Sequence, residues 1–115
     1  MLLNDYQTAA RKTAVGHTLE HMSFGLLEEA GEIAGILKRY HRGDEEYFDE
    51  MASDRDFVSP FMEEKLLAEM GDVLWYLAML ADTVGLTLEE VAKYNLSKLQ
   101  RRKAKDMIHG SGDDR

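Results

Sequence analysis

The chain contains no cysteine, a single proline and no long apolar run. Without cysteine there are no disulfides and no thiolate zinc sites, a composition that fits a reducing cytoplasm. No stretch approaches the ~18–20 apolar residues that span a bilayer. The opening Met1-Leu2-Leu3-Asn4-Asp5 lacks the basic and apolar regions of a signal peptide, so a cytoplasmic protein without membrane contact is expected. Hairpin turns between alternating β-branched runs are missing, as are repeats and low-complexity linkers. Basic residues are outnumbered, 14 against 22 acids. A net charge of −8 over 115 residues argues against stable nucleic-acid binding by the whole surface, yet leaves room for an anionic small molecule held through a metal ion.

What is present reads as helix. Asn4 caps a first helix running to about Thr13, and Gly16 breaks it. A second helix runs from about His17 to Tyr40, with Leu19, Met22, Leu26, Ala30, Ile33 and Leu37 as its apolar stripe. Gly31 and Gly35 lie four apart within it, which points to close approach of another helix or a ligand. Residues 41–59 form an acidic connector, with seven acids against Arg42 and Arg55 and a helical turn around Glu45–Met51. Ser59-Pro60 starts a third helix that reaches Thr83 and is closed by Gly85. Thr87-Leu88-Glu89-Glu90 is a capping box for a fourth, reaching about Ile108. One all-α domain over residues 1–109 is expected, followed by a polar tail, 110–115, that is either a flexible end or a cover for a bound ligand. Four broad apolar faces on so small a chain call for partner subunits, with Met22, Met62, Met70, Met79 and Leu80 as interface contributors.

Two motifs carry the chemistry: Glu28-Glu29-Ala30-Gly31-Glu32 and Glu69-Met70-Gly71-Asp72. Each sets acids three residues apart on one helix face, where like charges weaken a helix by roughly 0.2–0.5 kcal/mol per pair. Glu69 falls inside the stripe formed by Leu66, Val73, Leu77, Leu80 and Val84, Asp72 at its edge, and Glu29 borders the stripe of its own helix. Carboxylates on a core-facing surface are costly unless paired, neutralised or metal-bound. One reading is a buried salt bridge, Lys65 to Glu69, which leaves the other acids unexplained. The other is a hard divalent cation between the helices.

The fourth helix supplies the opposite charge. Six of the 14 basic residues lie in 93–105, and Asn95, Lys98 and Arg102 share a face suited to phosphate oxygens, or simply to the helix dipole. His17-Thr18-Leu19-Glu20-His21 has the glutamate in the wrong place for a zinc-protease helix, so these histidines read as surface or partner contacts. Trp75, Tyr76 and Met79 read as core or subunit contacts rather than a base-stacking platform.

Taken together, Glu28-Glu29-x-x-Glu32 followed by Glu69-x-x-Asp72, with Gly25-Leu26-Leu27 before and Val73-Leu74-Trp75-Tyr76-Leu77 after, resembles the MazG-like nucleoside triphosphate pyrophosphohydrolases. Asn95-x-x-Lys98-Leu99-x-x-x-Arg102 is similar to a basic pattern of that family's last helix. The likeness covers roughly residues 5–105, and the 36 residues between Glu32 and Glu69 are more than the family pattern leads one to expect. The resemblance implies a four-helix all-α bundle completed by a homodimer or homotetramer. It implies Glu29, Glu32, Glu69 and Asp72 as ligands of Mg²⁺, with Mn²⁺ as a substitute. Glu28 either joins a second metal or orients the attacking water. Lys98 and Arg102, assisted by Asn95, would contact phosphates, and Tyr6-Gln7 would help hold the base. The implied reaction is hydrolysis of a (deoxy)nucleoside triphosphate to the monophosphate and pyrophosphate. The rivals are another pyrophosphate-containing nucleotide, of phosphoribosyl-nucleotide or dUTP type, and a non-catalytic helical nucleotide-binding or interaction protein.

Overall fold

A computed structural model describes residues 1–47 and 58–112. Among them are four helices and no strand: α1 (Leu3–Arg11), α2 (Leu19–Arg42), α3 (Pro60–Thr83) and α4 (Leu88–Ala104), with a 3₁₀ turn at Glu45–Tyr47 after α2. The far part of the acidic connector, the end of its expected helical turn, and residues 113–115 of the tail lie outside the described residues.

Helix ends follow local chemistry, with three corrections. Ser59 accepts from the Met62 amide and Pro60 opens α3, while Thr87 and Glu90 close a reciprocal capping box on α4. α2 begins later than His17, because Thr18 accepts from the His21 amide, and it ends at Gly43, whose φ of 90° a side chain would resist. Asn4 does not cap α1. The cap position is Leu2, without a side-chain bond, and the Asn4 side chain reaches across to α4 instead. α4 stops at Ala104, short of Ile108, where Asp106 turns left-handed at φ 54° and the Met107 amide returns to the Arg102 carbonyl at 2.8 Å.

α2 and α3 pair along most of their length, and their contacts run in opposite chain directions, so they form an antiparallel hairpin. Met22, Ala78 and Met79, with Ala10 of α1 and Leu88 of α4, make one core. Ile36, Tyr47 and Met62 make a second at the connector end, where the Ser59 amide donates to the Tyr47 carbonyl and pins both connector ends together. Met22, Met62 and Met79 are therefore core residues of one subunit, not the interface contributors expected, whereas Met70 is exposed. The buried stripe of α2 is also turned relative to the expected one: Gly25 and Ile36 are buried, while Leu19 and Leu37 are exposed.

That turn is set by one contact. The Tyr76 ring lies against Gly25, and a Cβ on that glycine would sit 2.1 Å from the ring. Close helix approach thus occurs at Gly25, not at the expected pair: nothing approaches Gly31, and Gly35 meets only Arg39 of its own helix.

Candidate metal centre

Gly25 lies one turn before Glu29, and Tyr76 one turn after Asp72, so the tight crossing draws the two acidic motifs together. Glu29 from α2 and Glu69 and Asp72 from α3 each offer a carboxylate oxygen, and these oxygens all lie within 4.8 Å of one another. Glu29 and Glu69 are half-buried and Asp72 is exposed. Burial raises the Glu29 pKa first, and the Asp72 charge, a hydrogen bond with Glu69, and the Glu69 and Glu28 charges push it the same way. The salt-bridge reading fails among the described residues. Lys65 sits over the Phe61 ring at 5.5 Å, and the ion pairs formed by Arg11, His17, Arg42 and Lys93 involve none of the three acids. A partly buried all-oxygen cluster of like charge, with no ion pair to it among the described residues, fits a hard divalent ion.

Glu28 and Glu32 lie exposed on the same helix, outside this group of three. Glu32 is one turn beyond Glu29. Glu28 is felt at the centre through its charge on Glu29.

Helix α1 lies along α3. Burial and then the Asp72 charge raise the pKa of the half-buried Tyr6 hydroxyl, which puts this side chain within electrostatic reach of the centre. Gln7 is different from what the resemblance implies. It is 3% exposed, and its amide donates to the carbonyls of Ala78 (3.3 Å) and Leu86 (3.0 Å) and accepts from the Leu88 amide (3.0 Å). Both ends of the amide are engaged by backbone, so in this fold it is not presented to a nucleobase.

Asn95 and Lys98 line a groove of about 450 Å³ between α3 and α4, walled by Leu3, Leu74, Leu77 and Val91. None of the three clustered carboxylates lines it. Arg102 is buried and donates to the Gly112 carbonyl at 3.2 Å, so the start of the tail folds back on α4. His17 is tucked 3.5 Å from Asp82 rather than standing on the surface, and His21 tilts against Tyr76 with ring centres 6.3 Å apart. Trp75 donates to the Thr13 hydroxyl at 2.7 Å and meets Tyr76 edge-on, so both aromatics are packing residues.

Two arrangements had only faint sequence signals. Gly25 was visible as a glycine one turn before the first motif, but its partner depends on the register of two helices. The Arg11–Asp82 pair, which ties the end of α1 to the end of α3, spans 71 residues and has no local signature.

The described residues define a helical protein with a cluster of three carboxylates between two long antiparallel helices, spaced so that they could hold a cation. The chain belongs to the family described as the MazG nucleotide pyrophosphohydrolase domain, whose model matches residues 17–106. It is 37% identical over 125 aligned residues to Gene 37 protein of Mycobacterium phage L5, covering 100% of both chains. It is 40% identical over 77 residues to the uncharacterized protein YvdC of Bacillus subtilis (strain 168), covering 67% of this chain and 68% of that one. No solved structure matches.

Proposed function

We propose that the protein is a Mg²⁺-dependent hydrolase of (deoxy)nucleoside triphosphates, yielding the monophosphate and pyrophosphate and acting on cytoplasmic nucleotide pools. The observation that carries this reading is the meeting of Glu29, Glu69 and Asp72 without an ion pair to them among the described residues, in a chain of the MazG family. Glu32 completes the ligand set from the exposed rim, and Mn²⁺ substitutes for Mg²⁺. The bound cation would supply charge stabilisation at the phosphates and a more acidic water. Glu28 either joins a second cation or takes a proton from the attacking water. Lys98 and Asn95 hold phosphate oxygens, and Arg102 braces the end of the same helix. Tyr6 borders the centre and helps hold the base.

Homo-oligomerisation is part of this reading. Phe24 and Leu27 on α2 are 70% and 73% exposed, Leu67 on α3 is 63% exposed, and Met70 and Leu74 continue the α3 face. The radius of gyration is 17.4 Å. A compact chain of this length would have one near ~13 Å. A second copy covering these faces supplies the burial a single subunit lacks.

Product analysis tests the reaction class. Monophosphate and pyrophosphate in equal amounts are expected from a nucleoside triphosphate. Diphosphate with inorganic phosphate would contradict the proposal.

A further inference from the structure

The start of α4 is tied to α1 by side-chain hydrogen bonds. α4 contacts both this short helix and α3, and its junction with α1 carries polar bonds. Gln7 bonds the Leu88 amide and the Ala78 and Leu86 carbonyls, so one buried side chain joins the end of α3, the turn and the start of α4. One turn earlier, Asn4 accepts from the Glu89 amide at 3.1 Å and donates to the Glu89 carboxylate at 3.4 Å. Thr87 accepts from the Glu90 amide. The first three amides of α4 are thus satisfied, two of them by α1.

We infer that Asn4 and Gln7 are positioning residues that fix the angle of α4 and, through it, the place of Asn95 and Lys98. This rests on the proposed reading of those two side chains as phosphate contacts. A buried amide is stable only with its partners in place, so it specifies one geometry where an apolar side chain would tolerate several. The lever is long. Asn95 and Lys98 lie roughly 10–15 Å along the axis from Leu88 at the helical rise, so a tilt of ~10° there moves them by about 2 Å. Misplacement on that scale is enough to weaken a phosphate contact.

The test uses the full chain with Asn4→Ala, at the rim of the junction, and Gln7→Met within it. Hydrogen exchange at the Leu88–Val91 amides should speed up about fivefold in Asn4→Ala, the scale of a lost cap, while the α2–α3 hairpin keeps its protection. Mg²⁺ affinity should stay at the wild-type value. KM for a nucleoside triphosphate should rise about fivefold with kcat nearly unchanged. Adding Lys98→Ala should cost little beyond Lys98→Ala alone. Asn4→Asp combined with Glu89→Gln, which exchanges donor and acceptor across the contact, should restore both exchange and KM. Unchanged exchange in α4 of Asn4→Ala would overturn the role of Asn4, and unchanged exchange in Gln7→Met that of Gln7. Faster exchange with unchanged KM, or additive losses with Lys98→Ala, would overturn the link to phosphate. If the wild type hydrolyses no nucleotide, the proposed function falls, while exchange still decides whether α1 holds α4.

Discussion

Tyr76 occupies the space that any side chain at Gly25 would need, and this contact lies one helical turn from both Glu29 and Asp72. The closeness of α2 and α3 and the closeness of the acids are therefore one property. Gly25→Ala should destabilise the fold by about 1–3 kcal/mol, the scale of overpacking, and weaken divalent-cation binding with it. Urea denaturation and Mn²⁺ titration measure both. Tyr76→Leu should recover part of the loss, and simple additivity of the two changes would contradict the contact.

On the proposed reading, Glu29 would link cation binding to stability. Its folded pKa is raised, chiefly by burial and then by the neighbouring acids, so ionising it opposes folding. The penalty is absent below the unfolded carboxylate pKa, grows as pH rises from there through the raised folded value, and persists above it. Glu29→Gln should therefore make the metal-free protein more stable at neutral pH, by about 0.5 kcal/mol. Thermal melts in EDTA across pH check this. The same change should remove the stabilisation by Mg²⁺, which in the wild type approaches about 2.7 kcal/mol at a hundred times the dissociation constant.

Asp82 behaves with the opposite sign. The hydrogen bond from Arg11 comes first among the causes that lower its pKa, and the His17 contact adds to it. The stability it contributes is present above the unfolded carboxylate pKa and is lost as pH falls through the lowered folded value. Asp82→Asn should flatten the acid limb of the stability curve and loosen α1, read as faster exchange at Gln7 and Ala10. An unchanged acid limb would mean the pair contributes nothing.

Asp106 provides a control away from the site. It is left-handed at φ 54° just past α4, which puts an acidic residue next to the carbonyl end of that helix. Asp106→Gly should stabilise the protein by about 0.5–1 kcal/mol, because glycine takes this conformation without strain and the unfavourable charge is removed. Nucleotide hydrolysis should be unaffected.

Features governed by neighbours in sequence were legible from the chain alone. Ser59-Pro60, the Thr87 capping box and the spacing of Glu69 and Asp72 all act within one helical turn, and the helices start and carry their acids accordingly. What escaped was long-range. Asn4 has the chemistry of a cap and does cap a helix, but one that begins 84 residues later, at Leu88. Gln7 looked available because its partners are backbone groups, which no side-chain pattern reveals. Gly31 and Gly35 drew attention by their spacing, whereas the glycine that matters, Gly25, is identified only by the ring packed on it. Composition does not distinguish a subunit's own core from a shared one, so the sequence alone does not tell that Met22, Met62 and Met79 are buried within one subunit.

The most direct test of the central claim is pyrophosphate release from a panel of canonical and modified (deoxy)nucleoside triphosphates, in Mg²⁺ and in EDTA, by the wild type and by Asp72→Asn. Release by the wild type in Mg²⁺, abolished by EDTA and reduced by at least ~100-fold in Asp72→Asn, is the predicted result. Equal turnover in EDTA, or an unimpaired Asp72→Asn protein, would show that Glu29, Glu69 and Asp72 do not hold the catalytic cation.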